Sequence, residues 1–372
     1  MNAHSGLRIA ARWRDGRIAG VVIDNARPQA ARALLGLPAA EACARVPTLF
    51  SVCRMAQGIA ARLACAAARG EEGAVPVTPI SVAAQPAEMI QEHLWRLLLD
   101  WPAAVGFAPR RAEFVHWLRT LRALPPDGAQ AAVAVELADW LAREWPDGAA
   151  AAMVEDCGAP PSRTPDAETL IATFAAVLCD DPAAASAGED HWLPRQAASA
   201  WATALEVVPS SQFCLHPTLG GVARETGALE RQRHTPLVAS LLDRGRHVAA
   251  RYFARVVDLL DCTHSLVAGA SVDSDPGFDA APLPGGGGIA RVETARGTLL
   301  HAARIDDGRI ADYAIVAPTE WNLHPAGPMV RELVDRAFED PAAALRHVHR
   351  LALSLDPCVA FEVSLHGADS QY

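Results

Sequence analysis

A cysteine near the end of the chain raises the question of a metal site. Cys358 lies in the segment "LDPCVAFEVSLHG", and Phe361 stands where the second cysteine of a chelating pair would be. Two thiols at that spacing hold a metal together, whereas one alone is usually a buried thiol. A metal site therefore needs sulfur from elsewhere, and the candidate is Cys53 in "PTLFSVCRMAQ", near the opposite end of the chain.

Other chemically suggestive patterns are weaker. Two Cys-x-His pairs lack a second pair at zinc spacing and are interpreted as core packing: Cys214 with His216, and Cys262 with His264. The run "PGGGG" lacks the Lys-Ser/Thr of a phosphate-binding loop, so it is interpreted as a linker. His347 and His349 in "RHVHR" fall on different faces of a predicted helix and are expected at the surface.

Composition and charge exclude several classes of protein. With a formal net charge of -10 and a pI near 5.7, the chain lacks the basic face of a sequence-independent nucleic-acid binder. Its 8 cysteines are spread without the spacing of a disulfide scaffold, and the start "MNAHSGLRIAARWRDG" is not an apolar signal segment. No window of about 18 residues is uninterruptedly apolar, so no membrane span is predicted. We therefore expect a cytoplasmic protein in a reducing compartment.

The elements that must position these residues include two β-hairpins. Residues 7–23 alternate in side-chain character around Asp15-Gly16, and residues 297–317 repeat the design around Asp307-Gly308. An Asp-Gly pair tolerates the positive φ of a tight turn. Because "RDGRIA" and "DDGRIA" are so alike, we expect the two hairpins to pair in one sheet.

The region between the hairpins is predicted to be mostly helical. Apolar residues recur at helical spacing in residues 41–70, 87–101, 111–124, 129–145, 167–179, 327–338 and 340–358. The last of these runs delivers Cys358 at its end. Clusters of Pro and Gly predict breaks at 158–165 and 284–288, and residues 271–294 are predicted to be a flexible approach to the second hairpin.

Four fragments resemble, in the correct order, motifs of the large subunit of nickel-iron hydrogenase. The Arg-x-Cys-Gly-x-Cys motif of that family is matched by "PTLFSVCRMAQ", with Phe50 at the first cysteine position and Cys53 at the second. The Glu-x-Pro-Arg-Gly motif is matched by "ETARG", which keeps Glu293, Arg296 and Gly297.

The other two matching fragments lie nearer the C-terminus. The Pro-Ser/Thr-Thr-Trp-Asn motif of the family is matched by "APTEWN", which keeps Pro318 and Thr319. The Asp-Pro-Cys-x-x-Cys-x-x-His ending is matched by "DPCVAFEVS", which keeps Cys358 and replaces the second Cys and the His by Phe361 and Ser364. The resemblance therefore extends to both ends of the chain.

The departures from the family pattern decide the expected function. In the family, four thiolates hold nickel, and two of them bridge to an iron that carries two cyanides and one carbon monoxide. Only Cys53 and Cys358 remain here, so the resemblance implies no nickel and no hydrogen cleavage. Cys53 matches a ligand that touches iron, whereas Cys358 matches a nickel-only ligand and would have to turn inward to join it. Gln57 stands where the family has a His.

The retained donors imply a pocket for the iron fragment alone. The family uses the Arg and the Ser/Thr of the two middle motifs to donate hydrogen bonds to cyanide, and these are Arg296 and Thr319 here, with Pro318 beside them. This pattern resembles the hydrogenase accessory proteins of the HupK/HoxV type. It implies a scaffold that carries Fe(CN)2(CO) as cargo, receives it from a small HypC-type chaperone and iron-loading maturation proteins, and passes it to the large subunit precursor.

We therefore predict an α+β, mostly helical, nickel-iron hydrogenase large-subunit-like fold. Residues 1–372 are expected to form a single domain, with hairpins near both termini around a helical core and the two termini meeting at the cavity. The alternative is a metal-free chaperone that binds maturation partners through its large-subunit-like surface. In that case Cys53 and Cys358 are core residues, and Arg296 is the ion-pair partner of Glu293 or of a nearby Asp. A working hydrogenase is disfavoured because its ligands are absent.

Overall fold

The computed structural model describes residues 6–27, 29–71, 79–124, 130–155, 169–184, 188, 191–268 and 277–367. Its strands are β1 (Leu7–Arg14), β2 (Arg17–Asn25), β3 (Phe278–Pro282), β4 (Gly288–Thr294), β5 (Gly297–Asp306), β6 (Arg309–Val316) and β7 (Phe361–Gly367). Its α-helices are α1 (Ala39–Leu49), α2 (Arg54–Ala68), α3 (Pro79–Trp95), α4 (Trp101–Ala104), α5 (Arg111–Arg122), α6 (Gln130–Glu144), α7 (Ala149–Glu155), α8 (Leu170–Cys179), α9 (Ala198–Leu205), α10 (Ser211–Leu215), α11 (Ala228–Gln232), α12 (Pro236–Asp243), α13 (His247–Ala268), α14 (Pro318–Asn322), α15 (Pro328–Leu333) and α16 (Pro341–Ser354). A 3-10 segment spans Ala30–Leu34, and a π-helical segment, Arg96–Asp100, joins α3 to α4.

The first sheet joins the two ends of the chain. Its strand order is β2-β1-β7, with β1 antiparallel to β2 and parallel to β7. Asp15 and Gly16 both have positive φ in the β1–β2 turn, as the Asp-Gly pair predicts. Because Leu7 pairs with Phe361, the segment that carries Cys358 enters the sheet beside the first strand. The predicted meeting of the termini is confirmed.

The second sheet corrects the expectation that both hairpins share one sheet. The predicted second hairpin is present as β5 and β6, but it belongs to a separate sheet of order β3-β4-β5-β6. The stretch expected to be flexible supplies β3 and β4, and β4 takes the edge of β5 that another hairpin would need. Residues 283–287, from the predicted linker, form the β3–β4 turn.

Helix α2 lies directly against the second sheet. A Cβ atom on Gly288 would come within 2.3 Å of the backbone nitrogen of Ala68, so only glycine allows this approach. The alanine-rich face of α2 suits such close packing. The predicted helix over 41–70 is in fact two helices, and the break between α1 and α2 carries Cys53. The predicted break at 158–165 lies outside the described residues.

The long helix α13 lies at the centre of the helical part, where it packs against α3, α6, α8, α11 and α12. The helix predicted over 327–338 is shorter than expected, since α15 ends at Leu333. His349 is exposed as predicted, but the prediction that His347 is a surface residue is wrong. His347 shares the buried face of α16 with Val348 and Leu351, and Arg336 Nη1 lies 3.1 Å from its Nε2.

The α+β, mostly helical fold is therefore confirmed, and the single-domain organisation stays a prediction. Among the described residues, no helix combines the length and the apolar character that a membrane crossing requires.

Candidate functional site

The loop that carries Cys53 is held by two carboxylates of α3. Cys53 has a left-handed φ of 55° and precedes α2 without capping it through its own side chain. Glu92 accepts a hydrogen bond from the backbone N–H of Cys53 at 2.7 Å, and Glu88 accepts from those of Met55 and Ala56 at 2.7 and 3.0 Å. These are the N–H groups that a helix start leaves unpaired. A left-handed non-glycine residue costs on the order of 1 kcal/mol, and such strain is concentrated at functional sites.

Arg296 lies at the turn between β4 and β5 and points back to this loop. The turn requires Gly297, because its φ is +125° and a Cβ there would approach the side chain of Thr226 to 2.4 Å. Arg296 Nη1 donates to Glu92 Oε2 at 2.6 Å and to Cys53 Sγ at 3.3 Å. Among the described residues its Nη2 has no hydrogen-bond partner, although it is fully buried. One arginine therefore contacts the cysteine and still has a donor to offer.

Asp356 fixes the other side of Arg296. Its carboxylate accepts hydrogen bonds from Arg96 Nε at 2.6 Å and from Arg255 Nη1 at 2.8 Å, and it lies 3.4 Å from Arg296 Nε. Burial opposes the charged form of Asp356. The guanidinium groups of Arg255, Arg296 and Arg96 outweigh that cost and hold its pKa well below the usual range. Arg296 thus pairs with Glu92 and Asp356. The alternative that made it the ion-pair partner of Glu293 or of a nearby Asp is confirmed for the Asp and not for Glu293.

Cys358 has an arginine of its own. Arg27, just after the first hairpin, donates from Nη1 to Cys358 Sγ at 2.9 Å and from Nη2 to Glu320. Thr319 is buried, and its Oγ1 accepts the backbone N–H of Cys358 at 3.2 Å. The hydroxyl proton of Thr319 stays available, but the side chain supports the Cys358 segment from behind and does not line the cavity, whereas Pro318 does.

These groups meet at one cavity of about 790 Å3. Its wall includes Cys53, Cys358, Arg296, Arg27, Pro318 and Phe50. The structure therefore brings both predicted cysteines and the predicted arginine together. Phe361, expected beside them, instead lies in β7 with its ring centroid 5.3 Å from that of His349. On the far side of the Cys53 loop is a second groove of about 1000 Å3, to which Cys53 also contributes.

The cavity wall offers few ligands for a metal. In the described part of the chain, no three His, Cys, Asp or Glu side chains converge as a metal site. A bare nickel ion would need more sulfur than Cys53 and Cys358 supply. An iron that carries cyanides needs fewer protein ligands and gains from buried donors, such as Arg296 Nη2.

Cys53 is held as a thiol in this arrangement. Burial, and then the charge of Glu92, raise the pKa of Cys53 well above its ordinary value, and Arg296 only partly opposes this. The sulfur donates to Glu92 Oε2 at 3.3 Å. Binding of a metal at Cys53 therefore requires loss of this proton, and Glu92 is the acceptor already in contact with it.

Sequence reasoning missed the three residues that surround the sulfurs, namely Glu92, Arg27 and Glu320. Arg27 gives no local signal, because its partners lie 293 and 331 residues away along the chain. Glu88 and Glu92 do give one, since two carboxylates one helical turn apart on a mostly apolar helix suggest a buried pair with partners. In "APTEWN", Glu320 stands where the family motif has a Thr, and that departure could have been followed up.

The Asn of the "APTEWN" motif has a positioning role. Asn322 Oδ1 accepts the backbone N–H of Thr226, and its Nδ2 donates to the carbonyl oxygens of Arg296 and Leu355 at 3.3 and 3.4 Å. One side chain therefore ties together three separate segments around the cavity.

Gln57 and a buried histidine support the base of the site. Gln57 Oε1 lies 2.8 Å from His301 Nε2, and His301 Nδ1 lies 2.8 Å from the hydroxyl of Tyr313. A neutral imidazole that donates to Gln57 and accepts from Tyr313 satisfies both contacts. Burial lowers the pKa of His301 to about 3. Gln57 and Tyr313 both line the cavity.

We expect His301 to make folding sensitive to acid. The unfolded chain protonates this residue near pH 6.5, but the folded chain does so only near pH 3. Its contribution is present above the unfolded pKa and is lost as pH falls through that window. Relative to His301→Gln, the wild type should lose about 2 kcal/mol between pH 7 and pH 5 in urea unfolding. The difference in free energy of unfolding between wild type and His301→Gln should not change between pH 7 and pH 8. If it also does not change down to pH 5, His301 is not a buried neutral histidine.

Comparison with solved structures defines the fold. The [NiFeSe] hydrogenase of Desulfovibrio vulgaris Hildenborough in the as-isolated oxidized state superposes with a TM-score of 0.58 at 14% identity, covering 93% of this chain and 94% of that chain. The family model described as nickel-dependent hydrogenase matches residues 245–364. The fold is therefore that of the hydrogenase large subunit, as the resemblance implies.

Curated relatives identify the family within that fold. The hydrogenase expression/formation protein HupK of Rhizobium leguminosarum bv. viciae is 34% identical over 364 residues, covering 94% of this chain and 93% of that protein. The hydrogenase expression/formation protein HoxV of Cupriavidus necator is 29% identical over 368 residues, covering 94% of each. The chain belongs to the HupK/HoxV family of hydrogenase expression/formation proteins.

Proposed function

We propose that this protein is a non-catalytic maturation factor of nickel-iron hydrogenase that holds the iron-dicyanide-carbonyl fragment and transfers it to the large subunit precursor. The observation that carries the proposal is the contact of Arg296 Nη1 with Cys53 Sγ at 3.3 Å, beside a buried Nη2 that has no partner among the described residues. Cys53 supplies sulfur to the iron, and Arg296 supplies a donor to a cyanide nitrogen.

Cys358 is the second sulfur ligand in this proposal. It lines the same cavity as Cys53, but its sulfur must give up the hydrogen bond from Arg27 to bind the iron. Thr319 holds the Cys358 segment by accepting its backbone N–H, and Pro318 lines the cavity beside it. The cargo reaches this cavity from a small HypC-type chaperone and iron-loading maturation proteins. Transfer takes place in the cytoplasm, without a nucleic-acid or membrane partner. The names of the relatives support a role in hydrogenase expression and formation.

Infrared spectroscopy tests the proposal directly. Protein purified without oxygen from cells that express the hydrogenase maturation machinery should show cyanide and carbonyl stretching bands, and Cys53→Ala should remove them because the iron loses its first sulfur. Cys262→Ala is the matched control, since Cys262 is as buried as Cys53 (7% and 8% exposed) but lies on α13. Bands that persist in Cys53→Ala would contradict the proposal, as would their absence from wild type purified from the same cells.

A metal-free chaperone is the second candidate, and one observation favours it. Each sulfur is already contacted by an arginine, Cys53 by Arg296 and Cys358 by Arg27, so neither cysteine needs a metal to be held in place. In that case the protein binds its partners through the large-subunit-like surface. Wild type that co-purifies with the large subunit precursor but shows no infrared bands would favour this function.

A further inference from the structure

Two clusters of similar composition lie at the cavity, each made of a cysteine, an arginine and a glutamate. Both cysteines, both arginines and Glu320 line the cavity, whereas Glu92 lines the second groove. In the first, Arg296 contacts Cys53 Sγ at 3.3 Å and Glu92 at 2.6 Å. In the second, Arg27 contacts Cys358 Sγ at 2.9 Å and forms an ion pair with Glu320. We call them the Cys53 cluster (Cys53, Arg296 and Glu92) and the Cys358 cluster (Cys358, Arg27 and Glu320).

In each cluster, the atoms that could bind a metal already have partners within the protein. Two cysteine sulfurs on the wall of one cavity are potential ligands for a soft divalent cation. Here both sulfurs accept hydrogen bonds from guanidinium groups. Glu92 also uses Oε1 for the backbone N–H of Cys53 and Oε2 for Arg296, so moving either oxygen to a metal would leave a buried donor without its acceptor.

A bare dication therefore meets one buried positive charge, Arg296, and one partly buried positive charge, Arg27. A double charge about 4 Å from a guanidinium is repelled by several kcal/mol even at an effective dielectric constant of about 20, and the paired glutamates offset only part of this. To reach Cys358 the ion must also displace Arg27, which leaves Glu320 without its cation. The arginines thus oppose metal entry by charge and by occupancy.

A metal that already carries anionic ligands is not repelled by the two arginines in this way. A ferrous ion with two cyanides is neutral overall, and its cyanide nitrogens accept hydrogen bonds from guanidinium donors. The buried Nη2 of Arg296 is such a donor. The groups that repel a bare cation therefore become contacts for the ligated fragment.

We infer that the two Cys-Arg-Glu clusters act as a filter that excludes bare divalent cations and admits only a metal fragment that brings its own anionic ligands. Arg27 is the specificity-determining residue, because it closes the Cys358 side of the cavity and belongs to none of the motifs that resemble the large subunit. Admission of the ligated fragment rests on the proposed function, whereas exclusion of bare cations stands without it.

The filter is tested with Cd2+ and Ni2+ alone, under reducing and oxygen-free conditions, by thiolate-to-metal charge-transfer absorption and calorimetry. All proteins in this test, including the wild-type reference, carry Cys43→Ser, because Cys43 and Cys65 contact each other and could bind a soft cation outside the cavity. In that background the wild-type cavity should bind neither ion stoichiometrically. The charge-balanced variant Arg27→Ala/Glu320→Gln should bind Cd2+ at least about tenfold more tightly, and added Cys358→Ser should abolish the gain. Arg27→Lys keeps the charge and should exclude metal as wild type does, as should Arg32→Ala in the exposed 3-10 segment.

Wild type that binds either ion as tightly as the double variant would overturn the filter, as would Arg27→Lys that binds Cd2+. Circular dichroism reports whether the double variant folds. If it does not fold, the filter is tested by metal binding to wild type and to Arg27→Lys. The two proposals fail separately. If wild type excludes Cd2+ and Ni2+ but shows no infrared bands, only the carrier function is contradicted. If wild type shows the bands but also binds Cd2+, only the filter is contradicted.

Discussion

Replacing Asp356 by Asn is expected to lower the free energy of unfolding by about 3–5 kcal/mol, because it leaves buried cations without their shared anion. Arg96, Arg255 and Arg296 all contact this carboxylate, and all are buried. Asparagine has nearly the same shape, but it brings no charge. The side-chain amide of asparagine would also point its N–H donors at the N–H donors of the arginines. Urea unfolding at neutral pH measures the effect.

The control for Asp356→Asn is a surface pair. Asp306 pairs with Arg304, and both side chains are exposed, so Asp306→Asn should change stability by less than about 1 kcal/mol. Adding Arg255→Met to Asp356→Asn removes one of the stranded cations and should recover part of the loss. A loss near that of the surface control would mean that the three arginines do not depend on Asp356.

Arg296→Lys should sharply reduce loading with the iron fragment while leaving the fold intact. Lysine keeps the positive charge between Glu92 and Asp356, but it cannot contact Cys53, Glu92 and a cyanide in one plane. Loss of a charged hydrogen bond costs about 1.5–3 kcal/mol, which corresponds to roughly tenfold to hundredfold weaker binding. Infrared spectra should show weaker cyanide bands at shifted frequencies, relative to the amount of folded protein.

Arg110→Lys is the matched control for Arg296→Lys. Arg110 donates twice to Glu144 at 2.6 Å, so the same fork is lost on α6 instead of at the cavity. This variant should keep the wild-type bands. Unchanged bands in Arg296→Lys, at equal loading, would show that this arginine does not orient cyanide.

Local patterns located the two hairpins and most of the helices, but they missed strands β3 and β4 and the break between α1 and α2 that carries Cys53. Asp-Gly pairs define both hairpins because positive φ at the turn is a property of those two residues. Helical periodicity could also have placed His347 correctly, since it lies on the same face as the apolar Val348 and Leu351. The arrangement of the hairpins could not be predicted in this way. Strand neighbours are chosen by packing, and β7 and β4 occupy the edges at which the two hairpins would have joined.

Residue identity and order alone were enough to reveal the family resemblance, the two cysteines at motif positions and the replacement of the other two motif cysteines by Phe50 and Phe361. The tertiary structure decided what surrounds each sulfur. Arg27 meets Cys358, and Glu92 meets both Cys53 and Arg296, across 39 to 331 residues of chain. Buried charges must find partners wherever the fold brings opposite charges together, and no local pattern encodes that distance. The chemistry of this cavity is therefore a property of the packed chain.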